Sequence, residues 1–195
     1  MEQPKQDFLR GAYKASREAI LQMKEGSKIS ANNFDNRGTI QSKYSLDITQ
    51  HGSVTRWGDI KSEGNIDYSI DGVDELNLNN ELINPIAKGR SLLDIASDIS
   101  ISDNFEIASD LEIRTRNLYI NGKLKAKNLK FTLENFALTG YVGTSGDIDV
   151  YCYNFTNNSG ICEALGNATF NVTNKFTNTS GKRTEQHTIE FSYYT

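Results

Sequence analysis

The sequence predicts an all-β fold: a single right-handed parallel β-helix over residues 29–195, capped by a short N-terminal amphipathic helix within residues 1–28. Three observations predict it. A six-residue phrase occurs almost twice, 21 residues apart. Isoleucines recur at six- or seven-residue intervals in the middle of the chain, and apolar residues alternate with polar ones from Ile29 onward. A repeat of about 20 residues buries its apolar side only by stacking on its neighbours, which is the signature of a solenoid.

Composition agrees with a thin core and a large surface. Hydrophobic residues make up 37% of the 195 residues, below the roughly 45–50% of globular domains. The net charge of −4 argues against nucleic acid as a partner. No run of 18 apolar residues is present to span a membrane, and the N-terminus lacks the apolar core of a signal peptide. We therefore expect secretion or surface display only as part of a longer exoprotein, with a cytoplasmic location as the alternative.

The first segment differs from the rest of the chain. Between residues 5 and 25 the apolar residues fall at spacings of three and four, and Gly26 provides a C-terminal cap; they are Phe8, Leu9, Ala12, Ala15, Ala19, Ile20 and Met23. This pattern predicts an amphipathic helix. Such a helix covers the open end of the solenoid, or binds a membrane surface or a partner groove.

The middle of the chain predicts the shape of one coil. Five isoleucines are separated by 6, 6, 6 and 7 residues: Ile95, Ile101, Ile107, Ile113 and Ile120. Three such steps make about 19 residues, close to the period of the repeated phrase. A coil with three short strands places each isoleucine as an inward rung that stacks on the next coil.

The repeated phrase carries a resemblance to a known family. Its copies read Phe155-Thr-Asn157-Asn-Ser-Gly160 and Phe176-Thr-Asn178-Thr-Ser-Gly181, with a shorter echo at Phe34-Asp-Asn36-Arg-Gly38. These phrases resemble the repeats of filamentous haemagglutinins, the exoproteins of two-partner secretion and the stalks of contact-dependent inhibition toxins. The resemblance implies a non-enzymatic adhesive or display shaft that meets a glycan or protein on a host or neighbouring cell, and it implies a role in virulence. The family's secretion domain is missing from this sequence.

A second resemblance concerns one winding only. Gly58-Asp-Ile-Lys-Ser-Glu-Gly-Asn-Ile66 resembles a coil of the bactofilins, which implies a cytoplasmic scaffold that assembles end to end. The C-terminal strand adds to this alternative, since it alternates apolar and polar residues without a following cap. We expect Ile189, Phe191 and Tyr193 to mediate self-association, because an uncovered strand recruits another strand.

The residues offer little catalytic chemistry, and the sequence predicts no catalytic, cofactor-binding or metal-binding residue. His51 and His187 lie near no cysteine and are expected on the surface. Asp147 and Asp149 are two apart on one strand, about 7 Å, within the roughly 6.5–9.5 Å of an inverting carboxylate pair. Any solvated strand produces the same spacing, so the pair is weak evidence for catalysis. An extracellular polysaccharide lyase or hydrolase is therefore only the third functional hypothesis. Asp94, Asp98, Asp103 and Asp110 are expected in turns rather than around calcium.

Three further patterns concern the lysines, the cysteines and the asparagine sequons. Lys123, Lys125 and Lys127 form a basic stripe, continued by Lys130, that is either a solvated face or a dock for sulfate or phosphate. Cys152 and Cys162 lie half a coil apart, too far for a disulfide, and Cys152 is expected to face inward. Asn-x-Ser/Thr sequons are glycosylated only in a eukaryotic or viral protein; they begin at Asn154, Asn157, Asn167, Asn171 and Asn178.

Overall fold

The computed structural model describes residues 8–15, 20–179 and 190–191, and all elements of this part of the chain are strands. No helix that could span a bilayer occurs among these residues. The strands are β1 (Phe8–Ala15), β2 (Ile20–Met23), β3 (Lys28–Asn36), β4 (Thr39–Ser42), β5 (Leu46–His51), β6 (Val54–Arg56), β7 (Gly58–Ser62), β8 (Ile66–Asp71), β9 (Glu75–Asn77), β10 (Ile83–Ala87), β11 (Arg90–Ile95), β12 (Asp98–Ile101), β13 (Asn104–Glu106), β14 (Asp110–Ile120), β15 (Lys123–Ala126), β16 (Leu129–Leu138), β17 (Tyr141–Thr144), β18 (Ile148–Asn158), β19 (Ile161–Ala164), β20 (Ala168–Thr179) and β21 (Glu190–Phe191).

The strands wind into a solenoid with three faces, and every pair of neighbours is parallel. Face 1 runs through β1, β3, β5, β8, β11, β14, β16, β18, β20 and β21. Face 2 comprises β6, β9 and β12 together with the C-terminal halves of the long strands β3, β14, β16, β18 and β20. Face 3 comprises β2, β4, β7 and β10, then β13, β15, β17 and β19. The predicted parallel β-helix is therefore confirmed, and the crossover rule for parallel strands favours a right-handed winding.

The core is a stack of apolar rungs inside the solenoid. On face 1 each inward side chain lies in register with that of the next coil, as Tyr68 does with Ile48 and Leu93. The column continues with Ile113, Phe131, Val150 and Phe170, and all of these side chains are buried. Each such side chain contributes roughly 1.5–3 kcal/mol on burial, so the stacking of coils provides the driving force for the fold.

The regular spacing of the isoleucines corresponds to the change from one face to the next. Ile95 ends β11 on face 1, Ile101 ends β12 on face 2, and Ile107 follows β13 on face 3. Ile113 returns to face 1 and Ile120 to face 2, where it lies in register with Ile101. All five isoleucines are buried, so one step of six or seven residues corresponds to one face of the triangular coil.

The structure contradicts the predicted N-terminal helix. Phe8–Ala15 and Ile20–Met23, which the sequence predicts as helix, are the strands β1 and β2, parallel to β3 and β4. Residues 1–7 and 16–19 of the predicted cap lie outside the described residues. In β2 the exposed Ile20 and Gln22 alternate with the more buried Leu21 and Met23. Pairing with the neighbouring strands β3 and β4 thus prevails over the helical spacing of the apolar residues, because strand formation depends strongly on context.

One coil is longer than the others, and this interrupts face 3. Coil neighbours are 18 to 21 residues apart on face 1, but Ile66 pairs with Ser91, 25 residues later. In this coil the side-chain amide of Asn80 donates to the Glu106 carbonyl at 2.8 Å and accepts from the Glu106 N–H at 2.8 Å. Asn80 thus pairs with the backbone N–H and carbonyl of Glu106 at the edge of β13, in place of a neighbouring strand.

Candidate functional surfaces

The repeated phrase forms a rung followed by a corner. Phe155 packs in the core with its ring 4.7 Å from Phe136, centroid to centroid, and 5.3 Å from Phe176 on the next coil. The Asn157 side chain closes the corner, because its oxygen accepts the Gly160 N–H at 2.8 Å. Its amide donates to Asn178, 3.1 Å away on the next coil. The phrase therefore has a structural role.

In the upstream copy of the phrase, an asparagine side chain closes the corner in the same way. The Asn36 oxygen accepts the Gly38 N–H at 3.2 Å, and its amide donates to the carbonyl of Trp57 on the next coil at 2.8 Å. Phe34 and Asn36 are both buried. Gly181, the last residue of the third copy, lies outside the described residues.

Stacked asparagines form a ladder at the corner between faces 1 and 2. Each amide donates to the side-chain oxygen one coil earlier, over distances of 2.6 to 2.8 Å. The ladder consists of Asp98, Asn117, Asn135, Asn154 and Asn174. Because every rung pairs with the next, the polar corner crosses five coils without leaving the inner amides unpaired.

A second polar ladder follows the corner between faces 3 and 1. Asn128 donates to Asp110 at 2.8 Å and accepts the N–H of Asp147 at 2.7 Å, and the Asp147 carboxylate accepts the N–H of Asn167 at 2.8 Å. Gly146 is needed here, since a Cβ at this position would lie 2.0 Å from the Asn128 oxygen. Asp147, one member of the proposed carboxylate pair, thus holds two coils together.

Face 1 carries an ion network centred on Glu112, which is only 8% exposed. Its carboxylate lies 2.8 Å from Arg114, 3.2 Å from Arg90 and 3.8 Å from Lys130, on three different coils. Burial raises the pKa of the neighbouring Asp67, and Arg90 opposes that shift. Three cations around one carboxylate offset its desolvation and tie the coils together.

The basic stripe is paired along its length. Lys123 lies 2.5 Å from Glu106, and this hydrogen bond lowers the pKa of Glu106. The Lys125 ammonium lies 5.7 Å from the centroid of the Tyr141 ring. Lys127 and Lys130 lie 3.9 Å from Asp110 and 3.8 Å from Glu112. These pairs favour the solvated face over an anion dock.

Lysines on the first coils are arranged differently. An open groove of about 760 Å³ lies on face 3. It is formed by the ends of β2, β4, β7 and β10 and by the turns that follow them. We call it the corner groove; it is lined by Gln22, Met23, Lys24, Glu25, Gln41, Ser42, Lys43, Tyr44, Lys61, Ser62, Glu63, Ile86, Ala87 and Lys88. Four lysines and two glutamates give it a net charge of +2, in a chain whose net charge is −4.

The remaining candidate residues lie apart from one another. His51 contacts Asp71 of the next coil, 2.8 Å from Nδ1 to the carboxylate; His187 lies outside the described residues. Cys152 is buried on face 1, Cys162 is half-buried on face 3, and both thiols are free. The described residues contain no cluster of three or more His, Cys, Asp or Glu side chains that could hold a metal ion.

Several predicted turn and surface residues have partners in the ladders and networks. Asp94 pairs with Arg114, Asp98 with Arg116, and Asp110 with Lys127. Of the sequon asparagines, Asn154 and Asn157 use their amides in bonds between coils. These positions are explained by the stacking of coils.

At the C-terminal end, Glu190–Phe191 forms β21, with Phe191 in register with Phe170 of β20. Ile189 and Tyr193, the other residues of the predicted self-association strand, lie outside the described residues.

Sequence reasoning missed the corner groove and the asparagine ladder. Their residues come from different coils, and only the strand register brings them into columns. Searches of known protein families, of curated proteins and of solved structures give no match to this chain.

Proposed function

We propose that this chain is a rigid, non-enzymatic shaft segment of a secreted or cell-surface adhesin, which presents its faces to a host or neighbouring cell. The observation that carries the proposal is the continuous stacking of coils along face 1, tied at the corners by side-chain hydrogen bonds. The ten strands on the main path of face 1 give a rod about 43 Å long at roughly 4.8 Å per coil. A rod of stacked coils suits display at a distance from a surface.

The phrases that resemble filamentous haemagglutinin repeats support the same function. Phe155 and Phe176 form consecutive core rungs, and Asn157 and Asn178 form consecutive corners. Repeats that stack in this way extend by adding further coils, as a shaft requires.

Adhesion is tested with beads that carry the intact chain. Beads coated with the folded protein should bind epithelial or bacterial cells well above beads coated with the heat-unfolded chain. Equal binding by the two, or no binding to either cell type, would contradict the adhesin.

A cytoplasmic scaffold that assembles end to end is the second candidate. The observation that favours it is β21, which pairs on one side with β20 and has no other strand partner among the described residues. Light scattering at tens of micromolar, where exposed strand edges associate, should show assemblies that a Phe191→Lys variant lacks. Monomers of both proteins would exclude the scaffold, whereas filaments seen by electron microscopy would favour it over the adhesin.

A further inference from the structure

The corner groove is built from equivalent positions of four successive coils. Gln22, Gln41, Lys61 and Ile86 lie in register in one column of outward side chains. Beside them, at the turn, Lys24, Lys43, Glu63 and Lys88 form a second column. Three strand spacings separate the first coil from the fourth, so the groove is about 14 Å long and runs along the axis of the solenoid.

Three of the four lysines in the corner groove are available to a ligand. Among the described residues, no carboxylate lies within ion-pair distance of Lys24, Lys43 or Lys61, whereas Lys88 pairs with Glu63. Unpaired ammonium groups at this spacing produce a local positive potential on an acidic protein, and that potential attracts a ligand with repeated negative charges.

The groove also offers contacts for an uncharged sugar ring. The Tyr44 and Ile86 side chains are 45% and 44% exposed. The backbone of Tyr44 is held in place, because its N–H donates to the Ser42 hydroxyl at 3.1 Å and its carbonyl accepts from the Ser62 hydroxyl at 2.8 Å. The carboxamides of Gln22 and Gln41 can bond hydroxyl groups.

We propose that the corner groove binds a linear acidic polysaccharide, with carboxylates or sulfates against Lys24, Lys43 and Lys61 and a sugar ring against Tyr44. This inference rests on the proposed function and names the class of surface molecule that the shaft meets. Single-stranded nucleic acid suits the site less well, since its binding proteins are basic overall and stack successive bases on several aromatic rings. This chain has a pI near 5.3, and Tyr44 is the only aromatic residue among the described residues that line the groove.

The test measures binding of the full chain to immobilised polygalacturonate, dextran sulfate, neutral dextran and single-stranded DNA. Wild-type protein should bind one or both acidic polysaccharides, and binding should weaken between about 0.05 and 0.5 M salt because exposed charges are screened. Preference for polygalacturonate identifies carboxylates as the recognised group, and preference for dextran sulfate identifies sulfates. No binding to either acidic polymer, or tighter binding to DNA, would overturn the proposal.

Two triple variants with equal loss of charge locate the site. The triple variant Lys24→Gln, Lys43→Gln and Lys61→Gln should weaken polysaccharide binding about ten-fold. The matched triple variant Lys123→Gln, Lys125→Gln and Lys127→Gln removes lysines with partners on the same face, and it should weaken binding less than about two-fold. Equal losses would overturn the site, provided both variants keep the circular dichroism spectrum of the wild type.

The bead assay separates this inference from the proposed function. If protein-coated beads bind cells while neither acidic polymer is bound, the groove proposal fails and the adhesin remains. If the polymers are bound through the groove while the beads do not adhere, the adhesin fails.

Discussion

The side-chain amide of Asn135 donates a 2.6 Å hydrogen bond to the side-chain oxygen of Asn117, one coil earlier. Asn135 in turn accepts from Asn154 at 2.7 Å. A half-buried amide normally requires its own backbone or water partners. In this protein the same residue type on successive coils supplies them, so each coil satisfies the next.

Asn135→Ala should therefore destabilise the solenoid more than loss of a terminal rung. Removing Asn135 leaves the side-chain oxygen of Asn117 without its donor and the side-chain amide of Asn154 without its acceptor, at a cost of about 1–3 kcal/mol. Asn174→Ala removes the exposed last rung of the ladder within the described residues and should cost less than about 1 kcal/mol. Urea denaturation of the two variants measures the difference, and equal losses would contradict a cooperative ladder.

Two patterns in the linear sequence were sufficient to predict the solenoid, although not the strands β1 and β2. Phe155 and Phe176 are neighbours on consecutive coils, and their 21-residue separation is visible as a repeated phrase. Ile101 and Ile107 lie on adjacent faces of one coil, and their six-residue separation is visible in the sequence as a regular isoleucine spacing. Both patterns reflect rungs that must face inward.

The surface columns could not be predicted in the same way. Asn117, Asn135, Asn154 and Asn174 are separated by 18, 19 and 20 residues, so no fixed period connects them. The longer coil places Lys88 25 residues after Glu63, whereas Glu63 follows Lys43 by 20 residues. The ladder and the groove depend on the number of residues in each corner, which varies from coil to coil. An average period of about 20 residues does not predict these numbers.

Ile107→Asp should severely destabilise the protein. Ile107 is 5% exposed inside the solenoid, and an unpaired carboxylate at that position costs several kcal/mol. Ile161→Asp is the matched control, because Ile161 lies on the same face but is 51% exposed; its cost should stay within about 1 kcal/mol. Thermal unfolding followed by circular dichroism distinguishes them, and tolerance of Ile107→Asp would contradict the inward rung.

Gly140→Ala should cost more than Gly146→Ala. A Cβ on Gly140 would lie 2.0 Å from the backbone oxygen of Gly122, which can move only with its coil. A Cβ on Gly146 would meet the Asn128 side-chain oxygen. The Asn128 side chain can rotate away if its amide loses the bond to Asp110 and its oxygen loses the bond from the Asp147 N–H. We expect losses of about 3 kcal/mol or more for Gly140→Ala and about 1–2 kcal/mol for Gly146→Ala, measured in urea. The reverse order would show that the corner backbone yields more easily than the ladder.

The two cysteine thiols should react slowly in the folded protein. Burial raises the pKa of Cys152 to about 11, and burial together with the nearby Glu163 raises that of Cys162 to about 12. At pH 8 the thiolate is therefore about a thousandth or less of each thiol. Because both folded-state pKa values lie above the unfolded ones, the stability gained by keeping the thiols protonated is present below about pH 8.5 and is lost as the pH rises through 11 to 12. Ellman's reagent at pH 8 should label both thiols within seconds in denaturant and label the native protein far more slowly. A Cys162→Ser variant identifies which thiol reacts, and one fast thiol in the native wild type would contradict the burial of that cysteine.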